Sequence, residues 1–224
     1  MSVPTPDPLR HDDDVLSQSE TLDEDLVPDD PAPEEGVGPM TDITQLILDD
    51  HETFRREFAA LDDAQTPEQL QAIWEPLAAL LDVHAVAEET IFYPQLLRRG
   101  EDAEDETVDA IGDHNDIRDG VREAAQHPIG SPQWWDAVRT TRVANSTHMA
   151  EEEDDALPDF RRNAPLDVRE DLGRRFLEFK ADHPDPRSLD TSDKDPQGYV
   201  NAVQAKAASG GGNGSLDIGS LKGR

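Results

Sequence analysis

Apolar side chains recur at steps of three and four through the middle of this chain, the spacing that sets them on one face of an α-helix. Ile43, Ile47, His51, Phe54, Phe58 and Leu61 make the first such stripe, with Thr41 or Thr44 placed to cap it. Thr66-Pro67-Glu68-Gln69 is a capping box with proline at the first helical position. It opens a second stripe through Leu70, Trp74, Leu77, Leu81, His84, Glu88 and Ile91. Pro76 inside that stripe predicts a kink or a split, and Pro94 and Gly100 mark the approaching end. From about Glu104 a third stripe runs through Val108, Ile111, His114, Ile117, Val121 and Ala125. Gly112 and Gly120 weaken it by roughly 1 kcal/mol each relative to alanine. After His127-Pro-Ile-Gly130, Ser131-Pro132 starts a fourth stripe of Trp134, Val138, Thr141, Asn145, His148 and Glu152, which Pro158 ends or bends. A shorter fifth segment from Pro165 (Val168, Leu172, Phe176, Phe179) is expected to pack outside the other four. Short loops make neighbouring helices antiparallel. The expected fold is therefore all-α, an up-down-up-down four-helix bundle with a short fifth helix.

Charge divides the chain into three. The formal −31 splits into −11 over residues 1–40, −20 over 41–184 and zero over 185–224. Only the middle has enough periodic apolar residues for a core, so one domain is expected at 41–182. Residues 1–40 are acidic and proline-rich and are expected to be a disordered tail; a docking arm for a basic protein partner is the functional alternative. Residues 183–224 turn Asp-, Ser- and Gly-rich and read as a flexible tail, with Tyr199–Ala208 able to form a stray helical turn. So much negative charge repels phosphate backbones and anionic lipid, which argues against nucleic-acid and membrane-surface partners. With no cysteine there is no disulfide, thiolate metal site or catalytic thiol. The first residues have neither the basic nor the apolar part of a secretory signal, and no apolar run approaches the ~18 residues of a membrane helix. Cytoplasmic is the default location.

Two strings occur twice. Asp50-His51-Glu-Thr-Phe54-Arg55 and Asp113-His114-Asn-Asp-Ile117-Arg118 share Asp-His-x-x-apolar-Arg. His84 and His148 are each followed by Glu four later (Glu88, Glu152), Glu five later (Glu89, Glu153) and Pro ten later. Residues four apart on a helix stack with Cβ atoms ~5–6 Å apart, so His84 with Glu88, and His148 with Glu152, aim an imidazole and a carboxylate at one point. His51 and His114, on the apolar stripes of the neighbouring helices, can face them. Six side chains (His51, His84, Glu88, His114, His148, Glu152) then converge on the bundle axis. Two imidazoles for each of two metals, with Glu88 and Glu152 bridging, is a natural arrangement. Imidazole and carboxylate without thiolate suit Fe, Mn or Zn, and the carboxylates favour Fe or Mn where places stay open. A single His-x-x-x-Glu is weak; its weight here comes from conjunction. A redox-silent Zn or mixed cation site and a metal-free bundle are the alternatives.

On these six residues and the Glu-Glu-x-x-x-x-Pro extensions, roughly residues 41–180 resemble the hemerythrin family, its HHE cation-binding branch. The resemblance implies a four-helix bundle holding two Fe ions as an oxo- or hydroxo-bridged di-iron centre, with Zn or Mn as lesser occupants. It also implies a small diatomic or peroxide ligand: O2, peroxide or nitric oxide. Oxygen-carrying members have a fifth His four residues after the third, where this chain has Arg118. The matching place in the first repeat is Arg55. That departure points away from reversible oxygen carriage and towards oxidative-stress defence or sensing. A passive cation-binding or iron-responsive interaction module without redox turnover is the alternative.

Arg55 and Arg118 can instead offset charge on Glu89 or Glu153 as outer partners of the ligands. Glu89, Glu151 and Glu153 are otherwise expected on outer faces, with Glu89 or Glu153 as a spare ligand. Phe92 and Tyr93 read as packing residues or as a lining of the oxygen pocket. His11, His127 and His183 lie in tails or loops and are expected to be solvated, and the Asp-rich runs lack the pattern of a calcium loop.

Overall fold

The fold is described here over residues 41–210 of a computed structural model. Helix α1 (Ile43–Asp63) is capped by Asp42 and not by either threonine. The Asp42 carboxylate accepts from the Thr44 amide at 3.0 Å and from its hydroxyl at 2.8 Å, and it also pairs with Arg169. One aspartate thus satisfies the helix start and ties it to a later helix. Helix α2 (Pro67–Ala87) begins with the expected capping box and runs past Pro76 without interruption. Pro76 and Ala72, whose carbonyl loses its donor, are both exposed, so water takes the place of that bond.

Neither α2 nor α5 (Pro132–Glu151) ends where its proline signal stands. Each passes through one wide π turn, Glu88–Phe92 and Glu152–Ala156, into a continuation, α3 (Tyr93–Arg99) and α6 (Leu157–Asn163). In these turns the Tyr93 amide bonds back to the Glu88 carbonyl and the Leu157 amide to that of Glu152, five residues away. Pro94 and Pro158 come next in each case. A proline cannot donate and its ring strikes the carbonyl four residues earlier. Widening the turn by one residue lets the rod continue. Helix α4 (Ala103–Ala124) packs along α5, and Gly120 makes that approach close: a Cβ there would lie 2.2 Å from Thr141 Oγ1.

Two apolar clusters sandwich a polar layer. One contains Ile43, Ile47, Ile91, Phe92, Ile111, Leu157 and Phe160; the other contains Phe54, Phe58, Leu77, Leu81, Ile117, Trp134 and Val138. Along α1 and α4 the chain meets the first cluster before the second. Along α2–α3 and α5–α6 it meets them in reverse. On α1, α2–α3 and α4 the histidine of the repeat falls between the two, and on α5–α6 His148 lies at the edge of the second cluster, beside its Met149. The molecule is all-helical over the described residues, and no helix among them is long and apolar enough to cross a membrane.

The fifth helix forms where its stripe places it. Helix α7 (Leu166–Asp182) packs against α1, α2 and the first π turn, and its buried Phe176 ring lies 6.1 Å from the His84 ring. Residues 183–209 are not a flexible tail. A short 3-10 turn (Pro186–Ser188) leads to α8 (Pro196–Gly210), which packs on α3 and α4. Asn115 holds the approach by accepting from the Lys194 amide at 2.9 Å and donating to its carbonyl at 2.8 Å, and Val200 is fully buried. The tail expected at 1–40 and the rest of the glycine-rich stretch, from 211 on, lie outside the described residues.

Glycine substitutions test this packing. A Cβ on Gly173 would sit 1.5 Å from the Thr41 carbonyl oxygen, so Gly173→Ala must push α7 off α1 and is expected to cost about 2 kcal/mol or more. Gly112 has nothing within 4 Å of its would-be Cβ, so Gly112→Ala should stabilise by about 0.5–1 kcal/mol. Denaturant midpoints read both, and a neutral Gly173→Ala would contradict the close crossing.

Candidate metal centre

All six predicted residues meet in the polar layer, and each is 2 % exposed or less. One ring nitrogen or carboxylate oxygen from each of His51, His84, Glu88 and Glu152 lies within 4.8 Å of every other; the same holds for Glu88, His114 and His148. Each group takes its two imidazoles from one repeat. Glu88 belongs to both: its Oε1 is 3.0 Å from His84 Nε2 and its Oε2 is 3.2 Å from His114 Nε2. Glu152 Oε2 stands 3.2 Å from His51 Nε2 and 3.5 Å from His148 Nε2, while its Oε1 accepts from the Tyr93 hydroxyl at 2.7 Å. Tyr93 thus breaks the internal symmetry, since the matching place after His148 is Leu157.

The repeated strings explain how the rings are aimed. Asp50 meets His84 Nδ1 at 2.9 Å, so the aspartate before one histidine orients the histidine of the next helix. Glu153 meets His51 Nδ1 at 2.8 Å and Arg55 at 2.7 Å. Glu89 meets His114 Nδ1 at 2.9 Å, Arg118 at 2.9 Å and Lys194 at 2.9 Å. Each repeat therefore lends its second glutamate to a histidine of the other, and the arginine four residues after that histidine holds the glutamate in place. Glu89 and Glu153 are not outer-face charges: Glu89 is buried and Glu153 is half-buried, and the π turns bring them in beside Glu88 and Glu152. Glu151 stays exposed, as expected. In the second repeat Asp113 stands 3.8 Å from His148 Nδ1, too far for a hydrogen bond. His148 is thus tied less firmly than its counterpart.

A carboxylate at Nδ1 keeps the proton on that nitrogen and leaves the Nε2 lone pair facing inward. The consequence is an electron-rich focus. His51 Nε2, His84 Nε2, both oxygens of Glu88 and Glu152 Oε2 are buried without a hydrogen-bond donor, and His114 Nε2 lies 3.2 Å from His148 Nε2. Orphaned acceptors of this kind are costly unless a cation sits among them. The donor set, imidazole nitrogen with carboxylate oxygen and no sulfur, fits divalent Fe, Mn or Zn.

Protons can play the cation's part in the metal-free protein. Burial alone would depress the His84 imidazole, but Glu88 and Asp50 override it and raise it to about 10. Burial would likewise raise the Glu88 carboxyl, yet His84, His114 and His148 hold it well below the carboxylate range. Glu89 is brought down to about 2 against its own burial by His114, Arg118 and Lys194. The Tyr93 phenol is pushed well up by burial and by Glu152 and Glu88, so it keeps its proton for Glu152.

The six residues, the two arginines and the two second glutamates were legible in the strings. Asp50 and Asp113 were written in the same strings, but only the tertiary pairing of helices shows which imidazole each serves. Tyr93 was legible as a packing or pocket-lining residue but not as a donor to Glu152, and Lys180 (2.6 Å from Asp50) and Lys194 carried no signal of their own.

A family model described as Hemerythrin HHE cation binding domain matches residues 42–160, from the cap of α1 to Phe160 in α6. No curated protein and no solved structure matches the chain. Helices α7 and α8 lie beyond the matched residues.

Because the folded His84 value lies above its ordinary 6.5, the stability it lends the metal-free fold is complete below pH 6.5 and is lost as pH rises through about 10. Urea midpoints of chelator-treated protein should fall between pH 6.5 and 10. A midpoint that holds or rises over that range would show that the imidazolium does not hold the cage together.

Proposed function

Because the chain belongs to the hemerythrin HHE cation-binding family, we propose that its cage holds two iron ions and that the loaded protein binds or reacts with O2, peroxide or nitric oxide, in oxidative-stress defence or sensing. The observation that carries this reading is the set of unpartnered acceptors: imidazole nitrogens and carboxylate oxygens facing one dry focus inside a helical core. His51 and His84 would hold one ion and His114 and His148 the other, with Glu88 and Glu152 shared between them. We read the four rods α1, α2–α3, α4 and α5–α6 as an up-down-up-down bundle. The support is the alternating order in which they cross the two apolar clusters.

Iron bound there would supply electrons and open places for a small ligand. The chain's own groups do the rest. Asp50, Glu89 and Glu153 fix imidazole tautomers and raise their basicity. Tyr93 holds its proton on Glu152 Oε1, which leaves Oε2 as that glutamate's free oxygen. Phe54, 5.0 Å from the His84 ring, and Phe176 on its other flank exclude water. Arg118 stands where oxygen-carrying members of the family have a further histidine, and here its guanidinium pairs with Glu89 at 2.9 Å.

Two measurements test this reading. Purified full-length protein should carry about two irons per chain, with a visible absorption band that changes on adding O2 or hydrogen peroxide. His148→Ala should hold one or none while remaining helical. Metal retained without any spectral response would favour a passive cation-binding module instead, and a colourless protein indifferent to ferrous salt would end the proposal. Arg118→Met keeps the volume and removes the charge. It should weaken iron binding by about 10- to 100-fold in chelator competition, and unchanged affinity would refute the role given to this arginine.

A further inference from the structure

A cleft of about 420 Å³ opens between the start of α4 and the second π turn and ends on His148 and Glu152. Asp102, Asp105, Glu106 and Asp109 line it from one side, Glu151 and Asp155 from the other. None of these six is ion-paired among the described residues, whereas Asp159, close by in sequence, pairs with Arg162. Acids in the first turn of a helix are favoured by its dipole, which accounts for Asp102 and Asp105 without any ligand. It does not account for Glu151 and Asp155 facing them. The dipole favours Glu106 in the same first turn, but it does not account for the burial of that residue's Oε2 with no hydrogen-bond partner. Burial, with Asp159, Asp155 and Asp102 around it, pushes the Glu106 carboxyl up to about 7, the mark of negative charge left unbalanced. At the floor Glu152 is 2 % exposed, and its Oε2 also has no donor. An unpaired acidic funnel thus ends on a buried carboxylate with one oxygen that receives no hydrogen bond.

We propose that this cleft is the path by which divalent cations reach the cage, its carboxylates holding them in transit before His148 and Glu152 take them up. The inference rests on the cage being a metal centre. Phe54 and Phe176 lie against the His84 ring and cover that side of the layer, and a second cleft, of about 550 Å³ between α3 and α8, touches Glu89 but none of the six cage residues. The cleft reaches the half of the centre in which Asp113 leaves His148 without a firm hydrogen bond. Oxygen-only walls suit a hydrated divalent ion, which is attracted by charge and not yet selected by nitrogen. Converging like charges over low-dielectric walls concentrate counter-ions and speed capture by about 10-fold or more at low salt.

The test is the rate of loading, kept apart from its end point. Full-length, demetallated protein is mixed with cobaltous ion in a stopped-flow instrument, and the cobalt absorption is followed at low and high salt. A cleft variant carrying Asp102→Asn, Asp105→Asn, Asp109→Asn and Asp155→Asn should load at least about 10-fold more slowly at low salt. The gap should close near 1 M salt, where the screening length is about 3 Å. Final cobalt content, final spectrum and helicity should match the wild type. A control variant removes four exposed acids elsewhere (Asp63→Asn, Glu75→Gln, Asp167→Asn, Glu178→Gln) and should load at nearly the wild-type rate. Equal slowing in both variants would trace the effect to net charge and overturn the path. So would a cleft variant that loads normally, or one that loads at the normal rate to a lower final content. A wild type that takes up neither cobalt nor iron overturns the metal centre as well; normal wild-type loading with an unaffected cleft variant overturns the path alone.

Discussion

Four imidazoles can share one small volume only if something settles where their protons go. In this protein carboxylates stand outside the ring of histidines, 2.8–2.9 Å from the Nδ1 atoms of His51, His84 and His114. Each turns the opposite nitrogen inward. Apart from the Tyr93 hydroxyl on Glu152 Oε1, the inner carboxylates Glu88 and Glu152 then face ring nitrogens and not donors, unless a proton or a cation is shared between them. The polar layer is thus satisfied outside and short of positive charge within. The chain offsets the outer negative charge with its own cations: Arg55, Arg118, Lys180 and Lys194. The inner charge has no such partner among the described residues. Two apolar clusters above and below this layer keep water from supplying one. Stability and cation binding therefore depend on the same atoms.

Duplication gives the centre its economy, and the departures from it give the two halves different characters. Each repeat supplies the outer glutamate for the other, so neither half of the cage is complete without its partner. The first half is bound more tightly: Asp50 bonds His84 and is itself held by Lys180, and Phe176 from α7 covers the ring. Its counterpart Asp113 stands off from His148, nothing equivalent to Tyr93 follows Glu152, and the acidic cleft opens there. Helices α7 and α8, outside the family match, act on the first half and on Glu89. These additions make an approximate twofold repeat into a centre with one guarded side and one approachable side.

Much of this was readable before any coordinates. The stripes placed four long helices and a fifth, because a helix that buries one face must repeat its apolar residues at three and four. The six inward side chains followed from the i, i+4 stacking of two His-Glu pairs and from a string written twice. The pairing of Arg55 and Arg118 with Glu153 and Glu89 was also legible as a possibility of charge. Other features were not. Gly100 marked the end of the second rod and Pro158 could be read as ending or bending its helix, but a π turn beginning at each ligand glutamate was out of reach, because it depends on tertiary packing that makes continuing the rod worthwhile. Asp42 outcompeted two threonines for the cap because Arg169, 127 residues away, also needs it. Tyr199–Ala208 could be read as a stray helical turn, but the docking of α8 could not, because an amide side chain on another helix, Asn115, holds its approach. The role of Tyr93 was equally out of reach, since Glu152 lies 59 residues further on.

X-ray absorption at the iron edge of the loaded, full-length protein tests the central claim most directly. The account requires imidazole nitrogen in the first shell and a second iron roughly 3.5–4 Å away, the separation of bridged pairs. An oxygen-only shell, or iron with no metal neighbour, would contradict it.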